Sequence, residues 1–264
     1  MQFKFTDYHV HTNWSHDIVN TGPTFKEYIE EAERHRINIC FLDHYELYYL
    51  ETDSTYPFYD NKIVDYLEIM DKLKENYEFI QNGLEVEYYP QKENELRTFM
   101  DDFGKEFDFI AGTLHETKMG FPVTTRAKLM ELLKKFSIGK VVDDYFSIME
   151  QLIKSQIFEN VCHLDTIFRY INEDDILPPK DCNISEERVL KLGQLCIENG
   201  IRIEYNLSGY KYSIGRPFPS KYVIKELTLK GAPVYVGSDS HSLEYFKQNV
   251  QNVKNAYKFL NSLK

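Results

Sequence analysis

Residues Asp7 to Asp17, DYHVHTNWSHD, put three of the chain's eight histidines, His9, His11 and His16, within ten positions of one another. His9 and His11 are two apart, so on an extended strand their side chains face the same side. Two imidazoles side by side make half of a metal site, and neutral imidazole suits Zn, Fe and Mn. His16 follows on a loop able to fold back over the same point. A solvated loop that happens to hold histidines is the competing reading of so short a motif. The other histidines bear on the choice. His44, His115, His163 and His241 each stand at the end of an apolar run, and Glu85 and Asp239 stand at the same level. A carboxylate inside an apolar run is costly to bury unless it is paired or bound to a cation.

These side chains need elements that bring them together. The first strand is expected over Phe3 to His11. Thr21 to Thr24 reads as a turn and helix cap, followed by a stripe of Phe25, Ile29 and Ala32 on a helix reaching about Arg36. Strands are then expected at 37–42, with Asp43 and His44 at its lip, at 79–88, 107–114, 157–162, 201–205 and 233–236. Helices are expected at 62–76, 94–103, 127–135, 141–155, 185–199 (Ser185 as its cap), 219–230 and 245–260. Tyr45 to Asp60 reads as a loop rich in Tyr and acids, and 116–140 as a flexible stretch with one amphipathic helix. Strand then helix, about seven times, points to a parallel sheet with crossovers. No repeat and no linker breaks the series, so one domain over 1–264 is expected. No GxGxxG follows the first strand, and the count fits a closed or nearly closed βα barrel better than an open doubly wound sheet. In such a barrel the C-terminal strand ends converge on one face, where active sites lie.

The chain has 264 residues, 42% hydrophobic and 15% aromatic, which suits a sizeable core and argues against disorder. Its net charge of −11, with lysines scattered among acids, argues against a nucleic-acid partner. No signal-peptide pattern and no apolar run long enough to span a membrane occurs, so a cytoplasmic address is the expectation. Cys40, Cys162, Cys182 and Cys196 lack paired spacing, and buried free thiols are expected at Cys40 and Cys162. Seven histidines with Glu85 and Asp239 outnumber what one ion takes, and are enough for two or three ions. Such clusters polarise phosphoryl oxygens and generate hydroxide at neutral pH, the chemistry of phosphoester hydrolysis.

HVH with His16, the Asp43-His44 pair, GLEVEYY around Glu85, TLH at His115, CHLD at His163 and GSDSH at Asp239 and His241 occur in this order. Together they resemble the successive motifs of the polymerase-and-histidinol-phosphatase (PHP) superfamily. Within it the chain is most similar to the histidinol-phosphate phosphatases, through Tyr205 to Gly209 and Arg216 to Ser220. Two departures stand out: Phe218 replaces a usual Tyr, and Glu116-Thr117-Lys118 follows His115 where that branch tends to carry an aromatic residue. The resemblance implies an α/β fold, a distorted seven-stranded (β/α)7 TIM-like barrel, with three divalent ions, Zn, Mn or Fe. It implies that His9, His11, Glu85 and Asp239 hold the first ion and that Glu85 bridges to a second, held also by His115 and His163. His16, His44 and His241 take the third. The implied substrate is a small phosphomonoester, L-histidinol phosphate, attacked by a metal-bridging hydroxide. Other phosphomonoesters (a nucleotide, a sugar phosphate or phosphotyrosine) are the alternative, and a non-catalytic metal-binding barrel is a further one.

The remaining roles follow from phosphate chemistry. Arg suits the planar geometry of phosphate, and Arg169 and Arg216 lie on the expected face. Ser208 belongs to the substrate motif, and Asp17 is the candidate acid for the leaving alkoxide. Tyr45, with Glu46, Tyr48 and Tyr49, offers aromatic and acidic walls for an imidazole and an amine. Asp43 either orients a metal-bound imidazole or caps the strand end.

Overall fold

The computed structural model describes residues 2–18, 21–170, 176 and 186–264. Among these residues the main sheet has seven strands. They are β1 (Thr6–Val10), β2 (Asn38–Tyr45), β3 (Ile80–Glu87), β4 (Phe109–Thr113), β7 (Asn160–Val161), β8 (Arg202–Asn206) and β9 (Val234–Gly237), side by side in that order. A separate two-stranded hairpin pairs β5 (Glu116–Lys118) with β6 (Phe121–Pro122). Helices α1 (Phe25–His35), α2 (Leu47–Thr52), α3 (Ile63–Lys74), α4 (Glu93–Phe103), α5 (Arg126–Leu133), α6 (Ile138–Ser155), α7 (Glu186–Glu198), α8 (Lys221–Leu229) and α9 (Leu243–Asn261) are interleaved with the strands. Just past β9, Ser240 bridges in parallel to Val10 at the end of β1. The fold class is α/β, a seven-stranded TIM-like (β/α)7 barrel.

By contact density the chain divides into two compact units. The first comprises Met1–Val86, Asn94–Ala111 and Val236–Ser262. Within it β2 pairs in parallel with β1 and β3, and most of β2 is buried. Helix α1 starts where expected: Thr24 accepts from Glu27 N–H and the Glu27 carboxylate accepts in return, a capping box of about 1 kcal/mol. Its buried stripe is Phe25, Tyr28, Ile29 and Ala32, and Tyr28 meets the edge of Phe246 of α9 at 5.4 Å. Each large side chain so buried contributes about 1.5–3 kcal/mol.

The second unit comprises Glu87–Glu93, Gly112–Tyr235 and Leu263–Lys264. Here Cys162 N–H donates to Gly112 O at 3.0 Å, and β7 pairs in parallel with β8. Helix α6 buries seven residues on one face, starts at a Ser137 cap and packs on α7, which packs on α8.

The structure refines several expectations. β2 runs on through Asp43 and His44 to Tyr45, so this pair lies inside the strand and not at its lip. β7 is two residues long where six were expected, and the stretch after His115 contains the β5–β6 hairpin. The supposed loop from Tyr45 to Asp60 contains α2. Cys40, Cys162 and Cys196 are buried, and none of them forms a disulfide among the described residues. Ser185 and Cys182 lie outside the described residues.

Candidate metal centre

In the first unit, β1, β2, β3 and the turn after β9 bring buried imidazoles around the Glu85 carboxylate. Glu85 Oε2 lies 3.3 Å from His9 Nε2, 3.6 Å from His11 Nε2 and 3.1 Å from His44 Nδ1. Asp239 Oδ1 lies 3.5 Å from His11 Nε2 and 3.3 Å from His241 Nδ1. The donor atoms of His9, His11 and Asp239 lie within 4.8 Å of one another, as do those of His11, His44 and His241. His16 stands at the rim, 31% exposed, with Nδ1 2.9 Å from Glu46 Oε2 and its ring stacked on Tyr49.

Hydrogen bonding fixes how His11 is protonated. Ser15 Oγ donates its one proton to Asp43 Oδ1 at 2.8 Å, so toward His11 Nδ1, at 3.0 Å, it accepts. Nδ1 therefore carries the imidazole proton and Nε2 the lone pair. Among the described residues that lone pair makes no hydrogen bond, and it faces carboxylate oxygens of Glu85 and Asp239. Lone pairs converging in a dry site repel one another unless a cation lies between them. The donor set therefore fits a divalent ion with nitrogen and oxygen ligands. Burial pushes the His11 pKa down, and His241 and His44 push it further, which keeps this imidazole neutral. Burial alone would raise the Asp239 carboxyl, but the neighbouring His9 and His241 rings outweigh it and hold it ionised. Asp239 also adopts a left-handed φ of 56°, a strain of about 1 kcal/mol that Asp tolerates better than most residues. The turn is held by Ser240 N–H to His9 O at 3.2 Å and His11 N–H to Ser240 O at 2.9 Å.

Asp43 proves to be a positioning group for the His11 loop and not for His44 directly. It accepts Thr12 N–H at 2.6 Å, Thr12 Oγ1–H at 2.9 Å and the Ser15 hydroxyl. Asp7, which the sequence reading left without a role, accepts Ser238 N–H at 2.8 Å beside Asp239, and burial raises its pKa to about 6 from 3.8. A carboxyl raised on folding favours the folded state fully below its unfolded pKa, and that contribution is lost as pH rises through the folded value. In metal-free protein, Asp7→Asn should therefore gain stability over the unchanged chain between about pH 4 and 6, by about 3 kcal/mol, and hold it above. Urea denaturation across that range checks this; parallel pH curves for the two proteins would refute it.

The second unit holds the other two candidate histidines, His115 and His163. His115 Nε2 lies 3.3 Å from His163 Nε2, and His115 Nδ1 lies 3.1 Å from Glu87 Oε2. Buried carboxylates hold the main chain at both: Glu87 accepts His115 N–H at 2.8 and 2.9 Å and Glu116 N–H at 3.0 Å. Glu204 accepts His163 N–H at 2.9 Å and Asn206 Nδ2–H at 3.0 Å. Glu204 escaped the sequence reading, although a Glu between Ile203 and Tyr205 gives the same signal as Glu85.

The expected substrate contacts fare unevenly. Tyr45 is corrected: alternation turns it away from the side His44 faces, and it is buried in the core, stacked on Phe99 at 4.3 Å. Ser208 is buried, and its hydroxyl donates to Asn206 Oδ1 at 2.6 Å, so it shapes the turn. At Gly209, in the same turn, a Cβ would lie 1.9 Å from Arg216 O, so only glycine fits. Arg216 is ion-paired to the buried Asp165 at 2.7 Å. Arg169 stacks on Tyr212 at 4.4 Å and donates to Thr166 Oγ1 and Thr124 O, which fixes its guanidinium with no carboxylate partner among the described residues. Asp17 Oδ2 lies 3.0 Å from His241 Nε2 and 3.7 Å from His44 Nε2. Burial favours its protonation, but these two rings outweigh that and hold it well below the usual carboxylate range, ionised rather than ready to donate.

Comparison with known proteins bears on the whole chain. A Bacillus subtilis histidinol-phosphatase is 26% identical over 260 residues, covering 89% of this chain and 92% of its own. A Deinococcus radiodurans protein named probable histidinol-phosphatase is 21% identical over 243 residues, covering 89% of this chain and 85% of its own. The crystal structure of histidinol phosphate phosphatase from Lactococcus lactis, complexed with zinc, L-histidinol and phosphate, has the same fold. It superposes with a TM-score of 0.75 at 18% identity, covering 99% of this chain and 94% of that one. The model of the PHP domain matches residues 7–208, well over half of the chain. With the strand order and the histidines at the strand ends, that match gives the affiliation: the chain belongs to the PHP domain family.

Proposed function

We propose that the protein is a metal-dependent phosphomonoesterase that converts L-histidinol phosphate to L-histidinol and phosphate. The observation that carries the reading is the His11 lone pair facing the Glu85 and Asp239 carboxylates in a buried site. The names of the Bacillus and Deinococcus relatives, and the ligands of the Lactococcus complex, support the choice of substrate. In this reading His9, His11, His16, His44, Glu85, Asp239 and His241 in the first unit, and His115 and His163 in the second, bind divalent ions, three in all. When bound, such ions neutralise phosphoryl charge and lower the pKa of coordinated water. The chain's own groups hold that chemistry in place: Ser15 and Asp43 orient His11, Glu87 orients His115, and Glu204 fixes His163. Asp17, ionised, is suited to accept or relay a proton at the His44–His241 rim. The role belongs to a cytoplasmic biosynthetic enzyme, and among the described residues no helix is long and apolar enough to cross a membrane.

The decisive experiment is phosphate release from L-histidinol phosphate by zinc- or manganese-loaded protein, beside a nucleotide, a sugar phosphate and phosphotyrosine. The expected result is a preference for histidinol phosphate with kcat/KM of about 10⁴ M⁻¹s⁻¹ or more. Equal, weak rates on all four would remove the substrate, and no release from any would remove the enzyme. Arg169 is the proposed phosphate clamp. Arg169→Ala should lower kcat/KM by about a hundredfold, the scale of one lost electrostatic contact, without loss of metal. Unchanged kinetics would dismiss that role.

A further inference from the structure

We propose that the second unit carries a separate binding site for a small aromatic anion, in the cavity between the β5–β6 hairpin and helices α5 and α6. The cavity measures about 650 Å³, and none of the nine proposed metal ligands lines it. That volume suits a small molecule, since ligand pockets run to about 300–1,000 Å³.

Charge sets this place apart. Residues 116–140 contain six basic residues, Lys118, Arg126, Lys128, Lys134, Lys135 and Lys140, against two acidic ones, Glu116 and Glu131. In a chain of net charge −11 this is a local reversal, and it corrects the expectation that the lysines are scattered among acids. Two of these lysines, Lys118 and Lys135, line the cavity, and among the described residues neither pairs with a carboxylate. Their ammonium groups sit instead over aromatic rings, Lys118 at 5.7 Å from the Phe136 centroid and Lys135 at 5.3 Å from that of Phe121. Lys128, which does pair with Glu131, also lies over Phe121.

The walls complete the chemistry. Phe121, Phe136 and Tyr89 line the space, and Phe136 and Met119 are 37% and 39% exposed there, an apolar rim that water covers poorly. The lining also holds two carboxylates: buried Glu116 accepts Tyr89 O–H at 3.3 Å and Gly120 N–H at 2.7 Å, and Asp144 is ion-paired to Lys140 on its own helix. With Glu116 and Asp144 already engaged, the two lysines without a carboxylate partner are the groups left to attract an anion. Aromatic walls favour a flat ring on that anion. Phosphate or carboxylate on an aromatic body, as in a mononucleotide, satisfies both. This inference does not rest on the phosphatase reading.

The test is calorimetric titration with phenylphosphonate, whose C–P bond a phosphatase does not cleave, on both metal-loaded and chelator-stripped protein. The expected result is one-to-one binding that survives chelation and weakens at least about tenfold in Lys118→Gln/Lys135→Gln. Methylphosphonate, lacking the ring, should bind at least about tenfold more weakly. AMP binding tighter than phenylphosphonate identifies a nucleotide-sized ligand, and weaker binding a smaller one. Three results overturn the proposal: no binding or loss on chelation, an unchanged double variant, or methylphosphonate binding as well as phenylphosphonate. All of the substituted side chains are exposed, so folding is not at risk. Phosphate release by the double variant should remain, which separates this site from the metal centre.

Discussion

Glu85→Ala is expected to lower phosphate release from L-histidinol phosphate at least about a thousandfold, or about 4 kcal/mol in the transition state. The carboxylate is buried and touches three imidazoles, His9, His11 and His44, so its loss takes away the group on which they converge. What remains in the first unit is a set of imidazoles with Asp239 and Asp17, too little negative charge to hold more than one divalent cation tightly. The zinc-induced rise in melting temperature should shrink along with turnover, because an ion that binds only the folded state stabilises by mass action. Glu85→Gln keeps the volume and one acceptor and should recover little. A Glu85→Ala protein that keeps full turnover and full zinc content would sink the metal-centre reading as a whole.

Asp43→Ala should be the most damaging change to stability around the site, at about 3 kcal/mol or more. Asp43 is fully buried and accepts from Thr12 N–H, Thr12 Oγ1–H and Ser15 Oγ–H. Each buried donor left without an acceptor costs about 1–3 kcal/mol. The same change frees Ser15 to rotate, and Ser15 is what fixes the protonated nitrogen of His11. Metal affinity should therefore fall by about 10–100-fold, the usual cost of losing a partner behind a ligand. Asp43→Asn offers one acceptor in place of two and should restore part of both losses. Urea denaturation and zinc titration check the two arms separately. An unmoved midpoint would show the loop to be held by something else.

Most of the fold was legible because the strands announce themselves as apolar runs that stop at a histidine or an acid. Periodicity failed where elements are very short. The two residues of β7 and the five of β5 and β6 are too few to show a pattern. The end of β2 was misplaced because Asp43 and His44 look like a boundary, yet a strand can bury such a pair when Thr12, Ser15 and Glu85 satisfy it. Tyr45 could have been placed correctly from alternation alone: if His44 faces inward, its neighbour faces the helices. The metal-facing residues were readable by type and position. Glu87, Glu204 and Asp7 were harder, since their work is done on the main chain, and nothing in a sequence marks which backbone N–H a carboxylate will accept. The charge reversal at 116–140 was visible all along but was hidden by counting over the whole chain.

Those same three carboxylates have a consequence for how such a protein can change over time. Glu87, Glu204 and Asp7 grip peptide groups beside His115, His163 and Asp239, and a peptide group is the same whatever side chain it bears. A change of side chain at a gripped position thus leaves the peptide group that the carboxylate holds unchanged. A lineage can exchange the exposed positions between Lys118 and Lys140 while the anchor points at His115 and Glu116 stay where they are. An engineer can graft there for the same reason.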